Sequence, residues 1–259
     1  MKKIILRGLG LVLLLLVAFV VNVVWFKPLF IRLFYERIFA EVLFDTPQLL
    51  STFRLVEPLG IQAHNKKLDD LSEAEHNRQA ERLHHNLEIL HNYDTTGFDT
   101  QQHLSYDILD WYMKAEAEGE KFRYDTYPVN QLFGVQSSLP AFMATKHQVH
   151  NKRDAEYYII RLSKVPTQFA QVLEGLKIRE QHGVVPPTFI IDKVLTEMNG
   201  FVAQKPDENI LYTSLAEKLG KVQDLNPTEK RQLLTEAKTR FLDLIVGRLW
   251  LLPVDPRRL

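Results

Sequence analysis

The sequence predicts an all-α protein, a multi-helix bundle or array preceded by an N-terminal transmembrane signal-anchor helix. Three observations carry that expectation. An uncharged run from Gly8 to Phe26 follows Lys2, Lys3 and Arg7. Helix start and stop signals recur along the remainder of the chain. No stretch alternates polar and apolar residues with the period of two that a half-buried strand needs, and neither an internal repeat nor a low-complexity tract is present.

Residues 1–27 read as an uncleaved signal anchor. At about 1.5 Å of rise per residue, the run nearly spans a bilayer core. A cleavable leader has a shorter apolar region followed by a small-x-small site, whereas here Val23, Val24, Trp25 and Phe26 lead directly into Lys27-Pro28. Lys27, Arg32 and Arg37 on the far side match the three leading charges in number, so the orientation signal is balanced; an inside amino terminus is the expectation. In residues 28–44, Phe30, Phe34, Ile38 and Val42 recur at steps of four, with Arg32/Glu36 and Arg37/Glu41 at ion-pair spacing. That pattern fits a juxtamembrane amphipathic helix lying on the membrane, and equally the first core helix of a soluble domain.

Residues 45–259 read as a helical domain. Asp45-Thr46-Pro47-Gln48 and Ser72-Glu73-Ala74-Glu75 are helix starts, the second with capping-box spacing. Ala80, Leu83, Leu87 and Leu90 give the second helix an apolar stripe. Asp99 to Gln102 open another helix, in which Leu104, Ile108, Trp111 and Ala115 share one face until Gly119. Tyr127 precedes proline and is pushed out of helical space. Helix resumes near Ser138, again after Asn151, after Val165-Pro166 as far as Gly183, and after Pro186-Pro187. The last strong segment starts at Asn226-Pro227-Thr228-Glu229 and carries Leu234, Ala237, Phe241, Leu244 and Leu252 to Pro253. Leu249, Trp250, Leu251 and Leu252 leave an apolar face near Trp250, which is expected to meet a partner protein or a missing part of the fold.

Composition sets outer limits on function. A chain of 259 residues that is 46% hydrophobic can bury a sizeable core. Its 32 basic residues balance 32 acidic ones, so nothing attracts a polyanion and no nucleic-acid partner is expected. Cysteine is absent, which excludes disulfides, thiolate metal sites, thiol catalysis and a cysteine-linked lipid anchor.

No catalytic motif emerges. None of the nine histidines is followed by glutamate and no two lie four apart, so the H-E-x-x-H helix of zinc proteases is absent. His84, Glu88 and His91 share a helix face beside the leucine stripe and read as a polar boundary; His147 and His150 are three apart and form only a weak signal. A G-x-S-x-G elbow, a Walker loop and a dinucleotide-binding glycine loop are all missing. The segment from Tyr127 to Pro187 stands out for its turn-formers, amides and aromatics. In it Tyr127, Asn130, Gln131, Gln136, Tyr157 and Arg161 are candidate cleft or substrate-facing residues, able to hold a peptide backbone or a carboxylate. The same amides can instead cap the loop from inside, since buried polar groups rarely go unpaired.

The segment resembles the bacterial domain of unknown function 885 family (DUF885), whose members resemble helical zinc metallopeptidases of the gluzincin type. The resemblance rests on Tyr127-Pro128-Val129-Asn130-Gln131, Gly134, Gln136, Leu139-Pro140, Asp154-Ala155-Glu156-Tyr157, Arg161-Leu162 and Gly183-Val184-Val185-Pro186-Pro187, and extends from about Leu49 to the end. It implies an exported or membrane-tethered helical protein of the bacterial inner membrane, with its soluble part in the periplasm. The family's zinc segment, H-E-x-x-P-G-H-x-x-Q, lies in a carboxy-terminal half that this chain lacks. No catalytic or metal residue carries over, and zinc is expected only in a full-length homologue. The expectation is therefore the amino-terminal helical half of a metallopeptidase-like protein, inactive alone, whose partner is a carboxy-terminal catalytic half. A non-enzymatic envelope binding or scaffold protein and a truncated gene product are the alternatives.

Overall fold

The computed structural model describes the backbone of residues 2–246 and the side chains of residues 7–243. The apolar face near Trp250, with Leu244, Leu249, Leu251 and Leu252, lies outside the described side chains. In chain order the helices are α1 (Lys2–Trp25), α2 (Ile31–Asp45), α3 (Pro47–Phe53), α4 (Glu73–His91), α5 (Thr100–Gly119), α6 (Val135–Thr145), α7 (Lys152–Leu162), α8 (Val165–Gln181), α9 (Thr188–Ala203), α10 (Ile210–Lys221) and α11 (Pro227–Val246). Short 3-10 turns at Glu57–Leu59, Ala63–Lys66 and Glu120–Phe122 complete the regular structure, and no strand occurs among the described residues.

The chain forms two compact units. One runs from the amino terminus to Phe44 and adds Gln79–Glu118; the other comprises Asp45–Arg78 and everything from Gly119 onward. Residues 79–118 thus cluster with the amino-terminal elements rather than with the rest of 45–259.

In the first unit, α1 is long and apolar enough over Arg7–Trp25 to cross a membrane, and none of that span is buried by the protein. The small core joins Ile31 and Phe34 of α2 to Ile89 and Leu90 of α4 and Met113 of α5, with Leu83, Leu87, Tyr93 and Leu109 packed around them. Two sequence stripes shift here. On α2, Phe34 is fully buried but Val42 is exposed, as is Phe30 just before the helix, and Ile31 and Leu43 are buried instead. On α5, Leu104, Ile108 and Trp111 are 52%, 57% and 70% exposed, while Met113 is buried and Tyr106 and Leu109 pack inward with it. The α5 sequence carries two apolar stripes about half a turn apart, and tertiary packing against Leu90 and Phe98 selects the one containing Met113.

The second unit has a larger core, centred on α7. Ala155, Tyr158, Ile159 and Leu162 are buried on it, and α7 packs against α10, α11 and the turn at Ala63–Lys66, while α10 also packs on α6. Leu211, Leu215 and Leu219 of α10 and Leu233, Ala237 and Phe241 of α11 close that core.

Most helix starts have the expected caps. Asn151 accepts from Asp154 N at 3.0 Å, Asn226 Oδ1 accepts from Thr228 N and Glu229 N, and Asp99 and Gln102 cap each other reciprocally. Two starts differ. Helix α6 begins at Val135, a turn before Ser138, with Pro140 inside it. The Thr46 side chain makes no cap bond; instead Gln48 N donates to Asp69 Oδ1 at 2.9 Å and Asp69 N donates to Gln48 Oε1 at 3.0 Å. A residue 21 positions away supplies a cap that local spacing assigns to the preceding residues.

Candidate functional site

Polar chemistry in the second unit gathers at two places, both inside the Tyr127–Pro187 block or reached from it. The first is the turn before α6. Asn130 Oδ1 accepts from Leu132 N at 2.9 Å and Phe133 N at 2.8 Å, and Asn130 Nδ2 donates to Tyr127 O at 2.9 Å. Every polar atom of that side chain therefore serves its own loop. Gln136, buried at the start of α6, donates from Nε2 to Asn130 O at 2.6 Å and to Glu197 Oε2 at 3.2 Å, while its Oε1 has no hydrogen-bond partner. Gly134 makes this closeness feasible. A Cβ there would lie 2.0 Å from Gln136 Oε1 and 2.6 Å from Asn130 N, so glycine is required by space, its φ of −65° being ordinary. The turn is rigid, yet it presents Leu132 and Phe133 at 68% and 84% exposure. Tyr127 is exposed beside it and Gln131 half-buried within it.

The second place is the buried side of α7, where Arg161 is 0% exposed. Its Nε donates to Lys67 O at 2.7 Å, Nη1 to His147 Nδ1 at 2.7 Å, and Nη2 to Ser51 Oγ at 2.5 Å and His64 O at 3.1 Å, with Pro47 O at 3.5 Å. The guanidinium also lies over the Phe142 ring at 4.9 Å. These acceptors are neutral, and nearly all are backbone carbonyls or side chains of the 47–67 segment. Arg161 does hold a peptide backbone, but it is the protein's own. Each of its nitrogens is engaged, which leaves no fork open for a substrate carboxylate. Tyr157, on the same helix, is half-buried. The partners of Arg161 come from 47–67, from α6 and from His147, so the hydrogen bonds that tie Tyr127, Asn130 and Gln136 together do not extend to it.

Around Arg161 the electrostatics follow from burial. Desolvation lowers its guanidinium to about 9, with Asp69 pulling upward; at neutral pH it stays charged. Burial first, and then the Arg161 charge, push the His147 imidazole down to about 3. His147 is therefore neutral, accepts at Nδ1 from Arg161 and carries its proton on Nε2, which donates to Asp154 O at 3.1 Å. Asp154 Oδ2 in turn accepts from His150 N at 3.0 Å. Lys218 donates to Met143 O and His147 O, both at 2.7 Å, and desolvation lowers it to about 8. At the edge of the cluster Glu57 pairs with Arg54 and accepts from Asn65 Nδ2 at 2.7 Å. Its Oε1 lies 3.7 Å from His64 Nε2, and desolvation lowers the His64 pKa.

Chemically, this network fastens the 47–67 segment to α7. A histidine that stays neutral down to about pH 3 and already uses both ring nitrogens is neither an acid nor a base near neutrality. Sequence reasoning found Arg161 but missed Ser51, His64, Lys67 and Asp69. Their bonds to α7 or to the 47–50 turn close over long separations, and no local pattern marks them. The histidine face on α4 resolves differently: His91 Nε2 meets Asp110 Oδ1 at 2.6 Å. Among the described residues no group of three His, Cys, Asp or Glu side chains is placed to hold a metal ion.

Comparison with known proteins bears on the fold. The model of a family described as bacterial protein of unknown function (DUF885) matches residues 56–246. The crystal structure of a protein from Colwellia psychrerythraea described as a "putative lipoprotein" superposes with a TM-score of 0.70 at 16% identity, over 84% of this chain and 40% of its own. Likeness at that identity shows a shared fold, and this chain spans about 40% of that protein's length. No curated protein matches the chain.

Proposed function

The chain belongs to the bacterial DUF885 family, and on that premise we propose that it is the membrane-anchored amino-terminal helical portion of a zinc metallopeptidase-like protein. In this reading it supplies scaffold and cleft wall, supplies no metal ligand, and does not hydrolyse peptides alone. Its soluble part faces the periplasm and its anchor sits in the inner membrane. The observation that carries the reading is the partial coverage: 84% of this chain superposes on 40% of a longer protein that shares its fold. Two features agree with it. The polar groups of the family-signature block serve the protein's own backbone, and the rigid turn before α6 offers Leu132 and Phe133 outward, as a surface completed by further protein would.

The test is direct. The full chain, purified in detergent and supplied with zinc, is expected to hold no stoichiometric metal and to leave a mixed peptide library intact. One zinc per chain together with peptide cleavage overturns the proposal. A second reading, a self-contained envelope scaffold or binding protein, draws support from the closed core of the second unit, where Leu215, Leu219, Ala237 and Phe241 are almost fully buried. Hydrogen exchange of the second unit in the detergent-solubilised chain separates the two: a self-contained scaffold protects its core amides through one cooperative opening, a half-fold does not.

A further inference from the structure

A helix that leaves a membrane ends with carbonyls that its own turns cannot satisfy. In a flexible tether, water satisfies them. In the last turn of α1 and the turn that follows it, four carbonyls are taken up by side chains of the first unit. Arg37 Nη1, from α2, donates to Phe26 O at 2.7 Å and to Val23 O at 3.3 Å. Asn22 Nδ2 donates to Lys27 O at 3.0 Å, and the Tyr93 hydroxyl, just past α4, donates to Pro28 O at 2.6 Å. Lys27 Nζ reaches Asn92 O at 2.7 Å and lies over the Tyr93 ring at 4.7 Å.

Arg37 is itself fixed. Its Nη2 donates to Asn86 Oδ1 at 2.9 Å, its Nε lies 3.4 Å from Glu41 Oε1, and Asn86 Nδ2 donates to Glu41 Oε2 at 2.8 Å. The turn between α1 and α2 is thus bolted from three sides, and its apolar residues point away from the protein. Trp25, Phe26, Leu29 and Phe30 are 67%, 61%, 72% and 65% exposed, continuing the wholly unburied apolar surface of α1. Aromatic and aliphatic side chains at the end of a spanning helix suit the headgroup–acyl boundary.

We propose that residues 22–30 form a rigid elbow seated in the interfacial layer of a phospholipid bilayer, so that the first unit rests on the membrane instead of hanging from a mobile linker. The occupant of the exposed Trp25–Phe30 surface is lipid. The proposal builds on the anchor reading above and adds to it a fixed geometry maintained by Arg37 and Tyr93. It also gives a reason for the anchor to be retained, because removing the chain up to Phe26 would strip a buried guanidinium of two acceptors, Val23 O and Phe26 O.

The chain lacks cysteine, so a single nitroxide at Leu29→Cys reports on the elbow without further changes. The full chain is reconstituted in phosphatidylethanolamine–phosphatidylglycerol vesicles and its spectrum recorded with oxygen and with a water-soluble nickel relaxant. The expected result is a slow label, more accessible to oxygen than to nickel. Arg37→Met should speed its motion several-fold and expose it to nickel. Tyr93→Phe, which removes one hydroxyl and leaves the core ring in place, should do so to a smaller extent, and it decides the matter if the Arg37 variant does not fold. Co-sedimentation with the vesicles tests the anchor separately. A chain that sediments while carrying a fast, nickel-accessible label overturns the elbow and leaves the anchor standing; a chain that does not sediment overturns both.

Discussion

Among the described residues two arginines are buried, one in each unit, and they are stabilised in different ways. Arg37, in the first unit, has a carboxylate beside it, since Glu41 lies 3.4 Å from its Nε, as well as the Asn86 amide and two carbonyls. Arg161, in the second, has only neutral acceptors in contact, and the Asp69 carboxylate supports its charge without a direct bond. Burying a cation is costly unless charge or many well-aimed dipoles replace water. The first unit uses a counter-ion close to the surface. The second uses the backbone of a distant segment, and so converts one buried charge into a requirement that residues 47–67 adopt one path. The difference extends to the cores, five buried side chains in the first unit against a cluster spanning six helices in the second.

The strongest way to break that contrast is to remove each charge. Arg161→Met should destabilise the second unit by about 4 kcal/mol, because it leaves His147 Nδ1 and the carbonyls of His64 and Lys67 buried without donors. Arg37→Met should cost about 1–2 kcal/mol, since Asn86 and Glu41 still bond to each other. Urea unfolding of the detergent-solubilised chain, followed separately in the two units by hydrogen exchange, measures both. Equal losses would mean that the two buried arginines are stabilised alike.

Acid should be comparably damaging, and it should act on the second unit. His147 is depressed from 6.5 to about 3 by burial and by Arg161. Between those two values the unfolded chain binds a proton that the folded chain does not, so stability falls as pH falls. The loss approaches about 1.4 kcal/mol per pH unit within the window and ends below the folded pKa. In His147→Gln, whose amide oxygen can still accept from Arg161, the slope between pH 6 and pH 4 should flatten. A wild-type midpoint that does not move across that interval would show that His147 is not held neutral.

A smaller effect tests the rigid turn. Gly134→Ala should cost about 1–3 kcal/mol, because its methyl group would displace Gln136 and the Asn130 backbone together. Gly200→Ala on α9, where nothing lies within 4 Å of the added carbon, should be neutral or stabilising by up to about 1 kcal/mol. Thermal melts of the pair settle whether close approach or chain flexibility explains Gly134.

These residues also show which parts of the structure sequence could reveal. The apolar helix α1, the caps at Asn151, Asn226 and Asp99/Gln102, and the stop at Gly183, whose φ is +75°, are local events, each written in neighbouring residues. The role of Arg161 is not. Its partners lie 94–114 residues earlier at Lys67, His64, Ser51 and Pro47, and nothing in L-S-T or H-N-K announces a guanidinium. The block was legible as a family signature and its amides as cappers, but whether Arg161 faced a substrate or the protein's own carbonyls depended on contacts that only the folded chain creates. Helix α10 has a cap of the same local kind, Asn209 Oδ1 accepting from Leu211 N, although the sequence patterns above leave that helix unassigned.

A contrast within one helix concerns α5, where two apolar stripes compete. Met113 is 3% exposed within the small core of the first unit and Trp111 is 70% exposed. Met113→Ala should therefore destabilise that unit by about 2–3 kcal/mol through the cavity it leaves. Trp111→Gln should change stability by no more than about 0.5 kcal/mol, since little area is removed from water by the native side chain. The reverse ranking would mean that the sequence stripe of Leu104, Ile108 and Trp111 is the buried one in solution. A loss on Trp111→Gln that appears only in vesicles, and vanishes in detergent, would instead identify lipid as a contact of α5 and extend the membrane-seated surface of the first unit beyond the α1–α2 elbow.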